Sequence, residues 1–378
     1  MTAARVSWIV ALAACTPAEP PAAAPDRIFV SQAGSSTVIA VDADSGATTA
    51  RIEVGMLPHN IVVSPDRRTL YVAVVGSQAV AEIDVASARL RRTMLTAPVP
   101  ARRDDGSVIQ EHIDQDAFGH TTCYDCHHPG GAEPRYAGAR PFGLLVAPDG
   151  AHLYVSHLHT SDIAVLDLAS GQVETTVHLA PAGAATEATA LARLDDEIWV
   201  ALRPPQPSSL PGAVRRLSAT GLVPLGDAPA GSDPTALLAL PDRVLVSNFD
   251  GDSVTEHRGG AAIPHPAAPG PLGLTALPSG NVLALDYYAN AVSVLDLEAG
   301  ASTTVALEHD GAPYPNPTQA AVSSDGRSAW IVSSGTRGHL LELDLASTQI
   351  LRDVPIDGLS FGVALVSASA LDPSREVP

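Results

Sequence analysis

The sequence predicts an all-β chain, a seven-bladed β-propeller interrupted by one long irregular insertion between two blades. Three observations predict it. The first is a repeat: Pro58-His59-Asn60-Ile61-Val62-Val63-Ser64-Pro65-Asp66, Leu70-Tyr71-Val72 and Val80 to Asp84 recur as Pro141 to Asp149, Leu153-Tyr154-Val155 and Ile163 to Asp167. From Pro65 to Tyr71 and Asp84, and from Pro148 to Tyr154 and Asp167, the steps are the same 6 and 19 residues. The second is the spacing of strand-ending aspartates, 42 residues from Asp42 to Asp84, then 83 to Asp167, 129 to Asp296 and 48 to Asp344. With a unit of about 42 residues, 129 is three units and 83 is one unit plus about 41 extra residues, which makes seven units. The third is alternation, with Val80, Glu82 and Asp84 on one side of a strand and Ala81 and Ile83 on the other, beside Asp-Gly turns. Short antiparallel strands in units of four at this period build a propeller.

Composition agrees. Hydrophobic residues make up 46% of the 378 and aromatic residues 4%, which suits a large core of short strands rather than bulky helices. The net charge of −19 excludes nucleic acid as a partner and favours a basic one. The chain has no lysine, so Schiff-base and lysine-base chemistry are excluded.

Taken in order, residues 1–15 form a targeting segment. After Arg5, an apolar run from Val6 to Ala14 ends in Leu12-Ala13-Ala14-Cys15, too short to span a bilayer. It resembles a bacterial lipoprotein signal, and the resemblance implies that Cys15 is lipidated and tethers the protein in the cell envelope. Residues 16–26 alternate Pro and Ala and read as a spacer. The propeller occupies 27–378. Because the first unit begins abruptly at Arg27-Ile28-Phe29-Val30, the last strand, Phe361 to Val366, is expected to complete it. Weaker copies fill the gap between Asp167 and Asp296, one with Glu197-Ile198-Trp199-Val200 and one with Pro234 to Pro241 followed by Val244-Leu245-Val246.

These units resemble the seven-bladed YVTN-type propellers of exported bacterial proteins, whose repeat runs G-x-x-P-x-x-I-A-V-S-P-D-G, L-Y-V and V-x-V-I-D. The match is strong in blades 2, 3, 6 and 7 and degenerate in blades 4 and 5. The resemblance implies the fold; the family's functions vary, so the site must decide. It also implies that the connections between blades share one face with the loops between second and third strands. His59, Ser156-His157-Leu158-His159, Phe249-Asp250 and Tyr287-Tyr288 would lie on that face, together with the extra residues 98–139.

That insertion carries His112, His120, Cys123, Cys126, His127 and His128. Cys123-x-x-Cys126-His127 is the attachment pattern of a c-type haem: two thioethers hold the porphyrin and His127 ligates the iron. About forty residues cannot wrap a haem alone, so one flank would pack on the propeller. No methionine follows in the insertion, which leaves Met94 or, better, a histidine as distal ligand, with His120, His157 and His159 as candidates. Zinc is the alternative, held by Cys123, Cys126 and two of His120, His127 and His128. A plain Cys123–Cys126 disulfide is the third reading. Under the haem reading the chain is a monomeric, non-enzymatic electron carrier. It would meet a redox partner protein in the cell envelope and the membrane only through its lipid. Under the others it is a binding module whose propeller face takes a protein or ligand.

The remaining histidines are assigned no role. His59 follows Pro58 at a loosely specified position and reads as a turn or core hydrogen bonder, while His152, His178, His257, His265, His309 and His339 read as surface or turn residues. The repeated aspartates are expected to cap turns. No Gly-x-Ser-x-Gly, His-Glu-x-x-His or phosphate loop is present.

Overall fold

A computed structural model describes residues 26–97, 113–115, 121–123, 139–158, 160–179, 186–205 and 208–367. Seven four-stranded antiparallel sheets follow one another as blades. Blade 1 is closed by both parts of the chain: Ser360–Val366 lies innermost and pairs with Arg27–Gln32, with Ile28 opposite Leu365 and Val30 opposite Val363. The expected completion of the first unit by the last strand is thus observed, and it leaves the ring without a long open edge.

Each blade is covered on both faces by its neighbours, so the middle strands are apolar on both sides. In Arg27–Gln32, Phe29 packs with Leu70 and Val72 of blade 2, while Ile28 and Val30 pack with Trp330 and Val332 of blade 7. Alternate residues of one strand therefore serve two different interblade cores. The same arrangement repeats around the ring, and the outermost strands, such as Thr48–Glu53, are mostly exposed.

The aspartates that counted the units end the third strand of their blades and cap the following turn. Asp42, Asp84, Asp167 and Asp344 each accept the backbone N–H of the serine three residues on, at 2.6–2.8 Å, and Asp296 accepts that of Ala299 at 2.9 Å. Blades 4 and 5 lack the residue: their third strands end at Ser218 and Arg258. A second recurring device opens six of the seven blades. The residue before the innermost strand is left-handed at Leu57, Arg140, Asp233, Gly270, Asn316 and Leu359, with φ between 51° and 78°. In five blades proline follows, namely Pro58, Pro141, Pro234, Pro271 and Pro317, and starts the strand where no ladder hydrogen bond is required. No helix among the described residues is long and apolar enough to cross a membrane.

Candidate functional site: the channel mouth and the root of the insertion

The insertion leaves from Thr96, just after the outermost strand of blade 2 (Arg89–Leu95), and returns at Ala139, just before the innermost strand of blade 3 (Pro141–Val146). One residue holds both ends. The Gln78 carbonyl accepts the Thr96 N–H at 3.0 Å, and its side-chain Oε1 accepts the Ala139 N–H at 3.3 Å. Gln78 follows the one-turn 3-10 segment Val75–Ser77, the loop between second and third strands of blade 2. Both stems of the insertion therefore share a face with these loops. Within it, Ile113–Gln115 and Thr121–Cys123 pair antiparallel, Ile113 opposite Cys123. Cys15, His120, Cys126, His127, His128 and His159 lie outside the described residues.

Of the expected distal ligands, His157 is described in full, and its nitrogens are both committed. It ends the second strand of blade 3 and is buried. Nδ1 lies 2.5 Å from Asp162 Oδ1 and Nε2 lies 2.9 Å from Thr96 Oγ1. Ligating a metal would require breaking a buried hydrogen bond, so the residue acts as a tie between blade 3 and the insertion's first stem. Met94 is sealed in the core between blades 2 and 3, 2% exposed, and cannot reach the face. Two histidines read as surface positions are buried instead. His257 lies tilted against Trp199 between blades 4 and 5, ring centroids 5.5 Å apart, and His265 lies 2.8 Å from Glu256, which also pairs with Arg243.

Inside the ring, the seven innermost strands enclose a channel cavity of about 330 Å³. The second residues of these strands form a ring at its mouth, and blades 1, 2 and 3 contribute Phe361, His59 and Phe142. The His59 imidazole lies between the two phenyl rings, stacked on Phe361 at 4.1 Å and tilted to Phe142 at 4.5 Å. The third residues are small in most blades, such as Gly362, Gly143, Ala236 and Gly273, but blades 2 and 7 place Asn60 and Gln319 there. Gln319 Nε2 donates to Asn60 Oδ1 at 2.7 Å and makes a polar bar past blade 1.

This bar sets the state of His59. Asn60 Nδ2 donates to the Phe142 carbonyl at 2.9 Å, which turns Oδ1 towards Gln319 and towards His59 Nδ1, 3.3 Å away. A carboxamide oxygen only accepts, so Nδ1 carries the proton and Nε2 keeps its lone pair. Nε2 meets no hydrogen-bond partner among the described residues. Burial draws the imidazole down to about 4, against the Asn60 hydrogen bond and with help from the Arg140 charge, so it is neutral at pH 7. Its backbone is held too, since Ser31 Oγ donates to the His59 carbonyl at 2.5 Å.

Across the mouth, Phe249, Tyr287 and Tyr288 form an aromatic group with centroid separations of 4.8–5.8 Å, on the face where the sequence placed them. Behind it Asp286 is fully buried; Oδ2 accepts from Ser293 at 2.7 Å and Oδ1 has no partner. Burial raises its carboxyl to about 7, against the Ser293 bond and with a contribution from Asp252. At the far end of blade 3, His152, Asp167 and Glu174 bring their donor atoms within 4.8 Å of one another. There His152 already pairs with Glu174 at 3.2 Å, and Asp167 caps Ser170.

The sequence passed over His59, Asn60 and Gln319. For Asn60 and Gln319 the one signal was their departure from the small residue that most other blades carry at the third position.

These features define a seven-bladed β-propeller whose channel mouth lies on the face that carries both stems of the insertion. No family model matches the sequence, and no curated protein matches it. Solved structures match the fold. The periplasmic gluconolactonase PpgL of Pseudomonas aeruginosa superposes with a TM-score of 0.64 at 16% identity, over 91% of this chain and 99% of that one. A functionally unknown protein from Desulfotomaculum acetoxidans DSM 771 gives 0.63 at 13% identity, over 90% and 99%. The dihydro-heme d1 dehydrogenase NirN in complex with DHE gives 0.57 at 16% identity, over 93% and 78%. At these identities the likeness is one of fold, and that fold serves enzymes as well as proteins without assigned activity.

Proposed function

We propose that this protein is an exported, lipid-anchored propeller that carries one c-type haem on the insertion-bearing face and passes electrons to a partner in the cell envelope. The observation that carries the reading is the Cys123-x-x-Cys126-His127 pattern on an insertion whose two ends close on Gln78, beside the channel mouth. The donor set fits the group: two thiols at attachment spacing, an imidazole directly after the second, and no other cysteine once Cys15 is lipidated. When bound, the haem supplies one-electron chemistry. The chain's own part is to fix it through Cys123 and Cys126, to ligate it through His127, and to give it an apolar rim to lean on. That rim is formed by the partly exposed Phe142 and Phe361, backed by the buried Leu57, Val75 and Leu359. The NirN likeness adds that a propeller of this shape is found in a protein concerned with a haem-type molecule.

The absorption spectrum of the protein, expressed with haem-maturation factors, tests this. A Soret band that survives denaturation, and its loss in Cys123→Ser/Cys126→Ser, is the expected result. A colourless protein with one equivalent of zinc supports a binding module stapled by Cys123, Cys126 and two of His120, His127 and His128. A colourless, metal-free protein supports the disulfide.

A further inference from the structure

At the end of blade 3 opposite His157, three side chains come together at positions that blade 2 matches one for one. His152 begins the second strand (His152–His157), and Asp167, which ends the third (Asp162–Asp167), lies opposite it. Glu174 is the extra residue of a bulge in the fourth strand (Gln172–His178), between Val173, opposite Leu166, and Thr175, opposite Val165. The same positions in blade 2 hold Thr69, Asp84 and Arg91, with Arg91 the extra residue between Leu90 and Arg92. A bulge of this kind re-aims the side chain of its extra residue.

The two groups differ in charge. In blade 2 the Arg91 guanidinium joins the other two residues: it donates to Thr69 Oγ1 at 3.2 Å, pairs with Asp84 and lies 3.6 Å from Glu82. That blade supplies its own cation. In blade 3 a carboxylate replaces the guanidinium and an imidazole replaces the hydroxyl, so donors of lone pairs converge where blade 2 places a positive charge. Donor atoms of His152, Asp167 and Glu174 lie within 4.8 Å of one another. No arginine among the described residues pairs with either carboxylate. Arg92, which reaches the Asp167 turn from blade 2, spends its nitrogens on Glu82 and on the carbonyls of Leu168 and Ala169.

We propose that His152, Asp167 and Glu174 bind one divalent transition-metal ion of the zinc class. Donors on such an ion, at bond lengths of about 2.0–2.2 Å, stand about 3.0–3.5 Å apart. His152 Nε2 and Glu174 Oε2 already lie at 3.2 Å. Asp167 spends Oδ1 on the Ser170 N–H and keeps Oδ2 for the ion, so capping the turn and ligating use different oxygens. The Glu174 side chain is 49% exposed and has room to rotate, which closes the remaining gap. Two carboxylates balance the charge of the ion and are relieved of their mutual repulsion. A mixed imidazole and carboxylate set suits zinc and its neighbours, whereas calcium and magnesium call for shells of oxygen. With three protein ligands, water completes the coordination. The ion ties the second, third and fourth strands of blade 3 at the rim, and the assignment is independent of the haem reading.

The test uses the full chain carrying Cys123→Ser/Cys126→Ser, in which no haem is attached and no thiolate of the insertion takes zinc. Equilibrium dialysis against zinc chloride should show one binding step that His152→Asn and Glu174→Gln each weaken at least about tenfold. Zinc should raise the melting temperature of the parent and not that of either variant. Glu174→Arg, which restores the blade 2 arrangement, should abolish the step and unfold no earlier than the zinc-free parent. His309→Ala, at an exposed histidine elsewhere, should leave the step unchanged, and an equal concentration of calcium should not displace the zinc. A parent that binds no zinc up to about 1 mM overturns the assignment. So does zinc binding that is unchanged in both His152→Asn and Glu174→Gln, or zinc displaced by equimolar calcium. None of these results bears on the haem, which is read from the spectrum of the unsubstituted chain.

Discussion

His157 and His59 lie on the same face, within neighbouring blades, and have opposite chemical character. His157 is buried against two polar partners, one from its own blade and one from the stem of the insertion. His59 is packed against two hydrocarbon rings and one amide oxygen. What separates them is the number of ring nitrogens the fold has already used: two in the first case, one in the second. A histidine with both nitrogens engaged is a fastener, and one with a single engaged nitrogen keeps a donor atom to spare.

The largest effect expected is at the fastener. His157→Ala leaves Asp162 buried beside an empty space and should cost about 3–5 kcal/mol, read by urea unfolding. Loss of under about 1 kcal/mol would break the comparison by showing the tie to be idle.

Next comes Asp286. Its folded value, raised to about 7, exceeds the unfolded one, so the native state holds the proton more tightly. This contribution should be complete below about pH 4 and be lost as pH rises to about 7, by up to about 4 kcal/mol, and Asp286→Asn should remove it.

His59 gives the mirror image. Its folded value, lowered to about 4, lies below the unfolded one, so this contribution is complete above about pH 6.5 and is lost as pH falls towards 4, by up to about 3 kcal/mol. The measurement belongs in Cys123→Ser/Cys126→Ser, where no haem is attached. His59→Gln should remove the acid limb. A wild-type-like limb in that variant would mean that another group produces it.

The smallest effect is a reference point. Arg51 and Asp357 pair at 2.9 Å with side chains 50% and 44% exposed, and Arg51→Ala should shift stability by less than about 1 kcal/mol in the same urea assay.

The blade count was legible because it rests on local rules. An aspartate that ends a strand and caps the next turn leaves its mark within three residues, as Asp84 does with Ser87, and such marks can be counted along the chain. The insertion was legible for the same reason, as an excess in that count. The roles of the two histidines were not, because their decisive partners are remote. His157 depends on Thr96, 61 residues away, and His59 depends through Asn60 on Gln319, 259 residues further on. The hydrogen-bonded state of a ring nitrogen is a property of ring closure, which no window of sequence contains. His257 and His265 were misplaced by the same limit: both lie in the degenerate fifth blade, where the repeat no longer signals which side of a strand faces a neighbour.

Gln78 has a consequence for how such a protein is put together. Because its two described stems, Thr96 and Ala139, both bond to this one residue, the chain enters and leaves the insertion at a single corner of blade 2. Removing residues 98–138 and joining the stems by a short turn would leave all seven sheets paired as they are. A propeller rooted in this way can exchange the segment between its stems without renegotiating its core.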